Sequence, residues 1–463
     1  MSKDFEKMMS RIENIITDLM TKTRTPGLSI AIVKDGKLLY AKGFGARNLE
    51  ENLPATPHTL YGIGSCTKSF TALAIMQLVQ DGKISLDDPA SKYIPLKIGL
   101  KDKPITIHHL LTHSTGIPSL GTAELLIPKM LGRDEKWIPL SSYNDFYRLI
   151  NGAQNEIVDE PGKRFFYFNA GYTMLGHIIE KVTKMEFEDY IREKILKPLE
   201  MHRSTFTREE FEKEPDKMTP YWRDKGGKLI PVKHPFHKLI YAPGGLLSSV
   251  IELSNYLIAN INKGKFEEVE LVNSELIEEM QKIHVERPPG PFGRQGYGYG
   301  WGVVENFLGY KLVAHSGSTG MSSANLAFIP ELKIGVAIAS NVGDFPHFTV
   351  VQGILAALMG RDPEKEIPTF KIEKKLNMLS GSYETYKGII RINIVNRGGL
   401  LYLERKDSFG EVTIPLIPED EKLETFKFYI LSGATKTPVE FIVKSPEKID
   451  LYIERRVFHK VKS

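Results

Sequence analysis

The sequence predicts an α+β domain built on one antiparallel sheet, followed by a small all-β domain. Strand-like segments occur at both ends of the first region, and its middle, about residues 60–290, is mostly helical. A single sheet assembled from both ends, with helices packed on it, accommodates that order. Later in the chain, short alternating apolar runs recur between turn residues. Such spacing is typical of an antiparallel barrel or sandwich.

Changes in composition indicate where these domains begin and end. We place the first domain at residues 1–358, a linker at 359–370 and the second domain at 371–463. The linker is predicted because Gly360–Pro368 is charged, contains two prolines and lacks hydrophobic periodicity. The chain has 463 residues, of which 41% are hydrophobic, so it can bury a sizeable core.

Hydrophobic spacing predicts the individual elements. Residues 1–22 carry apolar positions at helical intervals and are predicted to form an amphipathic helix. In the first domain, Asp35-Gly36 is a hairpin turn between two strands, and the elements are expected at Ser29–Val33, Lys37–Gly43, Trp301–Val304, the segments after His315 and a final helix at Val350–Leu358. In the second domain, strands are expected at Gly388–Val395, Leu400–Arg405, Glu411–Pro415, Thr425–Leu431, Glu440–Val443 and Lys448–Arg456.

A candidate nucleophile stands at the start of a predicted buried helix. Ser65 and Lys68 form a Ser-x-x-Lys motif, which places both side chains on one helix face, one turn apart. A serine needs a nearby base at neutral pH, and Lys68 would serve if burial or another cation favoured its neutral form. Free N–H groups at the helix start would favour an oxyanion. The motif is common by chance, and Cys66 within it is expected to be a buried filler.

The second motif is Tyr167-Phe168-Asn169, in a short extended run before another helix. Residues two apart in an extended run point the same way, so Tyr167 and Asn169 would face one cavity. Tyr167 is a candidate second base if nearby ammonium groups lower its pKa from about 10. Asn169 would bind a substrate carbonyl and hold Lys68. Taken alone, Tyr167 is better explained as a core tyrosine whose hydroxyl is hydrogen-bonded within the protein.

The third motif, His315-Ser316-Gly317, ends an alternating strand. A strand at the edge of a cavity can take an extended substrate as an added strand, and Gly317 has no side chain to block it. The N–H of Ser318 is the expected second oxyanion donor, beside that of Ser65. His315 would assist protonation or bind a substrate carboxylate. Seen alone, it is more simply a surface histidine in a turn.

In this order, the three motifs resemble those of the penicillin-recognising serine hydrolases, and especially the CubicO group. That group includes class C β-lactamases, D-aminopeptidases, DD-peptidases and esterases. The chain is most like thermophilic archaeal serine peptidases of the CubicO type. The resemblance extends from about residue 10 to about residue 358, and other similar segments are Thr25–Ala31, Thr106–Gly116, Pro198–Met201 and Pro243–Ser249.

The resemblance implies a β-lactamase/transpeptidase-like fold and a serine peptidase that acts on short peptides through an acyl-enzyme, with D-residues preferred in several relatives. Ser65 would be the nucleophile, and Lys68 and Tyr167 would share the acid and base work. Asn169 and His315 would orient the substrate. His-Ser-Gly replaces the Lys-Thr-Gly of the usual signature. This loss of a permanent cation weakens the case for a penicillinase, although a carboxylesterase or β-lactamase would use the same atoms.

The second domain also resembles part of this group, since some members carry β-barrel domains, some of them lipocalin-like, after the catalytic region. A small β domain on a tether is suited to be an interface or a lid, so we expect a homo-oligomer formed through it. A different class of function is a non-catalytic protein whose C-terminal barrel binds a ligand or serves as a scaffold. An apolar barrel interior would favour that alternative.

Composition excludes several other classes. The net charge is only +4, with 57 acidic residues interspersed among the basic ones, which argues against a nucleic-acid partner. One cysteine excludes an internal disulfide framework. No run reaches the length of a membrane span and the first twenty residues lack a continuous apolar segment, so we expect a cytoplasmic protein without a membrane partner. The low glutamine content hints at a thermophilic source.

We predict neither a metal nor another cofactor. His108, His109 and His113 lie close together in the sequence, but no carboxylate or cysteine stands beside them. Structural roles are therefore the better interpretation. The other clustered histidines, His234 and His237, are expected to be loop residues, as is His347.

Overall fold

The computed structural model describes residues 3–133, 138–408 and 410–461. The chain divides into two compact units, residues 1–358 and 359–463. The helices of the first unit are α1 (Lys3–Thr23), α2 (Thr67–Gln80), α3 (Ile107–Leu111), α4 (Thr122–Met130), α5 (Tyr143–Asn151), α6 (Asn169–Thr183), α7 (Phe187–Ile191), α8 (Arg208–Lys213), α9 (Lys238–Gly244), α10 (Val250–Ile261), α11 (Ser274–Met280) and α12 (His347–Leu358). Its strands are β1 (Gly27–Lys34), β2 (Lys37–Asn48), β3 (Leu53–Pro54), β4 (Tyr61–Gly62), β5 (Tyr221–Arg223), β6 (Leu229–Pro231), β7 (Leu247–Ser248), β8 (Lys265–Phe266), β9 (Val269–Glu270), β10 (Val285–Gly290), β11 (Gly293–Tyr297), β12 (Gly302–Phe307), β13 (Tyr310–Ser318), β14 (Ser323–Ile329) and β15 (Ile334–Ser340).

The main sheet is antiparallel and is assembled from both ends of the first unit, which confirms the predicted α+β fold. Its strand order is β10-β11-β12-β13-β14-β15-β1-β2-β3, with Leu28 opposite Ser340 where the two ends of the unit meet. The hairpin between β1 and β2 turns at Asp35 and Gly36, both with positive φ, as a type I′ turn requires. The predicted N-terminal helix is α1, and residues 1 and 2 lie outside the described residues.

The centre of the sheet is covered on both faces. Every residue of β14 and β15 is buried, and both α10 and α12 pack on these two strands. Side chains alternate between the faces of a strand, so burial at every position requires cover on both sides. The predicted buried helix is also confirmed, since α2 is buried on nearly all sides between α6, α7 and α9.

The second unit is a closed antiparallel barrel, which confirms the predicted all-β domain. Its strands are β16 (Gly381–Glu384), β17 (Arg391–Arg397), β18 (Leu400–Asp407), β19 (Gly410–Pro418), β20 (Lys427–Ser432), β21 (Thr435–Ser445), β22 (Lys448–Ile453) and β23 (Arg456–Lys460). The sequence did not predict β16 or the separate strand β23, which pair with each other and close the barrel. Large side chains fill the interior, among them Tyr383, Phe428, Phe441 and Phe458.

Much of the segment interpreted as a linker is helical. It contains α13 (Pro363–Glu366) and the start of α14 (Pro368–Leu379), whose Leu376 and Leu379 join the barrel core. Each proline is the first residue of its helix, where the missing N–H costs nothing and the fixed φ suits the helix. These prolines therefore start helices here. Within the described ranges, no helix is both long enough and apolar enough to cross a membrane.

Candidate active site

Ser65 lies in a tight turn, Gly64–Cys66, that leads directly into α2. The turn packs against the end of β13, backbone to backbone. A Cβ on Gly317 would lie 1.9 Å from the carbonyl oxygen of Ile63 and 2.6 Å from the nitrogen of Ser65, and a Cβ on Gly64 would lie 2.5 Å from the nitrogen of Ser318. Two glycines therefore allow the approach that brings the amides of Ser65 and Ser318 together.

Lys68 is completely buried and sits within reach of three oxygens. Its Nζ lies 3.0 Å from Ser65 Oγ, 2.8 Å from Asn169 Oδ1 and 2.8 Å from the carbonyl oxygen of Pro243. Burial lowers its pKa well below the usual 10.5, because desolvation penalises the charged form. When this amine is neutral, it can donate its two hydrogens to Asn169 Oδ1 and the Pro243 carbonyl and direct its lone pair toward Ser65 Oγ.

Tyr167 lies beside the predicted nucleophile, Ser65, with which it forms a hydrogen bond. Burial raises the pKa of its phenol above 10, and a hydrogen bond with Ser65 offsets this only in part. The Nζ of Lys68 is 4.7 Å from the centre of the Tyr167 ring, but burial lowers the pKa of Lys68 and so disfavours an ammonium charge there. The expectation that ammonium groups lower this pKa is therefore wrong for the ligand-free site. Tyr167 is a protonated phenol at neutral pH.

His113 holds the segment that carries Tyr167. Its carbonyl oxygen accepts the N–H of Phe166 at 2.8 Å, and its Nδ1 accepts the N–H of Phe168 at 3.0 Å. The two rings, His113 and Tyr167, are 4.3 Å apart between centres. Tyr167 is thus fixed between two hydrogen bonds to one residue, while Asn169 begins α6.

The other histidines of that segment also have structural partners, as the sequence analysis expected. His109 forms a capping box with Thr106 at the start of α3, and His108 Nδ1 lies 2.8 Å from the hydroxyl of Tyr299. Two of the remaining histidines, His234 and His237, lie in the loop before α9 as expected; His234 is buried there, and His237 caps α9 by accepting the N–H of Leu239. The prediction is wrong for His347, which begins α12.

Both ring nitrogens of His315 are occupied within the protein. Nδ1 lies 2.7 Å from the carbonyl oxygen of Ser316, to which it donates, and Nε2 lies 2.8 Å from the hydroxyl of Tyr297, from which it accepts. Burial lowers the pKa of His315 to about 3, so the ring is neutral. Neither nitrogen is free for a substrate carboxylate. The sequence analysis did not identify Tyr297. It lies on β11, whose sequence has no motif that would distinguish it from other strands.

Three cavities border the site, and two of them are lined by the predicted catalytic residues Ser65 and Tyr167. The larger, about 420 Å³, is lined by Tyr167, His315, Tyr297, Arg287 and other residues. The smaller, about 50 Å³, is lined by Ser65, Asn169, Ser318 and mostly apolar neighbours. Beside them, β12 begins at Gly302, opposite Ala314. Residues 315–318 of β13 therefore pair on one side only among the described strands, which leaves an open edge at the site.

The described part of the chain also holds a group of acids, Glu180, Glu186 and Glu188, whose oxygens lie within 4.8 Å of one another. Lys238 forms ion pairs with two of them, Glu186 and Glu188. Their negative charge is thereby partly balanced. Among the described residues, no hydrogen bond or ion pair links this group to Ser65.

The chain matches two known families. Residues 12–359 match the family described as Beta-lactamase, and residues 363–459 match the Pab87 octamerisation domain. A solved structure, the octameric penicillin-binding protein homologue from Pyrococcus abyssi, is 45% identical with a TM-score of 0.90, covering 98% of this chain and 100% of that one. This agrees with the expected resemblance to archaeal members of the group.

Curated relatives are more distant. Protein flp of Staphylococcus aureus strain MW2 is 30% identical over 336 residues, which is 72% of this chain and 63% of that protein. The teichoic acid D-alanine hydrolase of Staphylococcus aureus strain MRSA252 is 30% identical over 179 residues, 38% of this chain and 40% of that protein. The chain therefore matches less than two thirds of the length of either relative. With three quarters of its length matched by one family and the fold in agreement, the chain belongs to the Beta-lactamase family of serine hydrolases.

Proposed function

We propose that this chain is a serine peptidase that works through an acyl-enzyme, with Ser65 as nucleophile and Lys68 as its base. The observation that carries the proposal is the set of contacts around Lys68 Nζ. Two acceptors, Asn169 Oδ1 and the Pro243 carbonyl, take its hydrogens, and Ser65 Oγ is 3.0 Å away. Burial favours the uncharged form of this amine, and in that form its lone pair can accept the proton that the Ser65 hydroxyl must lose.

Tyr167 supplies the acid. When Ser65 Oγ bonds to the carbonyl carbon, its proton passes to Lys68 and the oxyanion is held by the N–H groups of Ser65 and Ser318. Tyr167 gives a proton to the leaving atom as that atom's bond to the carbonyl carbon breaks, and the proton on Lys68 replaces it. The net result moves one proton from Ser65 to the leaving group. Water then attacks the acyl-enzyme by the same steps in reverse. The acyl group leaves as a carboxylic acid, and Ser65 regains its proton.

The acyl portion of the substrate is small. The cavity that contains Ser65 and Asn169 has a volume of only about 50 Å³, which suits a residue such as alanine. One relative is named for hydrolysis of D-alanine from teichoic acid, and this supports D-alanyl derivatives as substrates. Short peptides with D-residues are thus our first candidates, and D-alanyl esters are the second. The neutral His315 gives a β-lactam carboxylate no cation at this position of β13, which makes a β-lactamase the weakest of the three.

Labelling tests the proposed class. A fluorophosphonate should add one adduct to the wild-type chain, detected by intact mass, and none to Ser65→Ala. Equal labelling of both proteins would contradict the proposal that Ser65 is the nucleophile. A panel of D- and L-alanyl peptides, the matching esters and a chromogenic cephalosporin then ranks the substrates.

We also propose that the chain forms a homo-oligomer through its second unit. The support is the match of residues 363–459 to an octamerisation domain and the octameric state stated for the Pyrococcus abyssi homologue. The alternative use of the barrel, as a container for a ligand, is disfavoured because Tyr383, Phe428, Phe441 and Phe458 fill its interior. Light scattering that returns a monomer mass would contradict the oligomer.

A further inference from the structure

The second unit carries a disproportionate share of exposed apolar side chains. Among the described residues, sixteen large hydrophobic side chains are strongly exposed, and eight of them lie in the second unit, which is less than a quarter of the chain. Apolar surface that is gathered in one place typically marks an interaction site. Five of the eight lie close together on the barrel, and we refer to them as the apolar stripe: Tyr386, Ile389, Ile442, Tyr452 and Val457.

Backbone pairing brings three residues of the stripe together on the outside of the barrel. Tyr452 on β22 lies directly opposite Val457 on β23. Ile442 on β21 is opposite the residue two positions before Tyr452, and such diagonal neighbours are within reach of an aromatic side chain. Successive side chains of a strand point to opposite faces. The three stripe residues therefore point outward, because each has a direct chain neighbour in the barrel core, namely Phe441, Leu451 and Phe458.

The other two residues of the stripe stand on the loop between β16 and β17. Tyr386 and Ile389 are 74% and 76% exposed, the highest fractions among the sixteen side chains. Strand β16 ends at Glu384, opposite His459. Val457 is two residues from His459 on β23, so both face outward. The loop therefore begins beside this outward row and extends the stripe past β23.

Hydrogen bonds within the loop hold its backbone. The N–H of Thr385 donates to the carbonyl of Ile390 at 3.0 Å, and the N–H of Ile390 donates to Thr385 Oγ1 at 3.0 Å. The N–H of Gly388 donates to the carbonyl of Thr385 at 2.8 Å. Two large apolar side chains are thus presented to solvent on an ordered backbone, which reduces the conformational entropy that binding would cost.

The barrel can contact a second copy only through outward side chains. Because the eight strands close on one another, no edge among the described strands is free to add a strand. The charges beside the stripe are paired within one copy, since Asp450 pairs with Lys444 at 2.6 Å and Glu384 pairs with Arg391 at 3.1 Å. Two copies of this surface can therefore meet without net repulsion between like charges.

We infer that the apolar stripe is a contact between two copies of this chain, in which the stripe of one copy packs on the stripe of the other. This rests on the proposed oligomer and names the surface of the second unit that forms it. Such a contact buries five exposed apolar side chains from each partner. A surface that contacts itself is isologous and joins copies in pairs.

A carboxylate placed on the stripe tests the inference in the full-length chain. In Tyr452→Glu and Val457→Glu, light scattering should return about half of the wild-type mass or less, because copies joined in pairs would separate. Val412→Glu is the matched control and should keep the wild-type mass. Val412 is exposed to a similar degree but lies on β19, three strands from β22 around the barrel.

Cross-linking gives a second test that does not depend on weakening the contact. The only cysteine of the chain, Cys66, is buried, and burial raises the pKa of its thiol to about 12, so a short bismaleimide should react with an introduced thiol instead. Val457→Cys should give a covalent dimer on a denaturing gel, and Val412→Cys should not.

The state of the wild type separates this inference from the proposed oligomer. If the wild type assembles but both glutamate variants of the stripe keep its mass and Val457→Cys does not cross-link, the inference is wrong and the proposed oligomer stands. If the wild type is a monomer, both fail together. Fluorophosphonate labelling of Ser65 in every variant checks that the first unit is intact.

Discussion

At the scale of single residues, burial decides which group is the base in the proposed mechanism. A lysine and a tyrosine both flank Ser65, and desolvation shifts their pKa values in opposite directions, since it removes charge from each. The pKa of Lys68 falls well below 10.5 and that of Tyr167 rises above 10. The amine is then free to accept a proton and the phenol free to give one. The proposed acid and base are thus distinguished by the burial of the two side chains.

This assignment predicts the pH profile of kcat/KM. Activity requires a neutral Lys68 and a protonated Tyr167 in the free enzyme. Activity should therefore fall as the pH drops through the lowered pKa of Lys68, and it should stay level through pH 10 because the pKa of Tyr167 is raised. The measurement is initial rate against pH with an uncharged ester, so that titration of the substrate does not interfere.

Asn169→Asp is the variant that checks this prediction. A carboxylate at that position would favour the protonated amine of Lys68, so the acid limb should move to higher pH by about one unit or more. Asn169→Gln keeps an uncharged amide at this position and should change only the plateau value of kcat/KM. An acid limb that stays in place in Asn169→Asp would show that Lys68 is not the group that titrates.

At the scale of elements, the site depends on how closely the turn before α2 meets β13. The sequence analysis explained Gly317 by the approach of a substrate. In the structure its missing side chain accommodates the turn itself, because a Cβ there would lie 1.9 Å from a backbone oxygen. The open edge of residues 315–318 still leaves room for an added strand. Gly317 is therefore required for the packing of the protein itself, whether or not a ligand binds.

Gly317→Ala should therefore damage both stability and the site. Backbone atoms cannot move aside as a flexible side chain can, so we expect a loss of about 3 kcal/mol in unfolding free energy together with slower fluorophosphonate labelling. Ser318→Ala is the control. It keeps the N–H of Ser318 and loses only a hydroxyl that donates to the Gly343 carbonyl at 2.9 Å and accepts the N–H of Gly320 at 3.1 Å, so its labelling should be close to wild type. Wild-type stability in Gly317→Ala would contradict the packing argument.

At the scale of the whole molecule, the two units have separate cores. The large buried cluster of the first unit contains residues between Ala31 and Ala339, and that of the barrel contains residues between Leu376 and Phe458. No residue belongs to both. The chemistry lies in the first unit, and the match to an octamerisation domain lies in the second.

A chain that ends at Leu358 should therefore fold and label but not assemble. Its core is intact, so it should show a cooperative thermal transition and one fluorophosphonate adduct on Ser65. Light scattering should return a monomer, in contrast to the full chain. A truncated chain that still forms the full-length oligomer would show that assembly does not depend on the barrel.

Local sequence pattern explains how much of the fold and of the candidate site could be predicted from the sequence. The three motifs, the buried helix after Ser65, the hairpin at Asp35-Gly36 and the all-β second unit each follow from spacing within a few residues. The helices that start at Pro363 and Pro368 were missed because a proline signals both a break and a first helical position. The closing pair β16 and β23 joins segments about seventy residues apart, beyond the reach of local pattern.

By itself, the sequence determined which side chains were available for chemistry and the order of the elements that carry them, since both depend on residue type and local spacing. Only the tertiary structure decided what those side chains do. The lowered pKa of Lys68, the raised pKa of Tyr167 and the occupied nitrogens of His315 arise from burial and from partners contributed by distant segments, such as Pro243 and Tyr297. Desolvation and long-range hydrogen bonds exist only once the chain has folded.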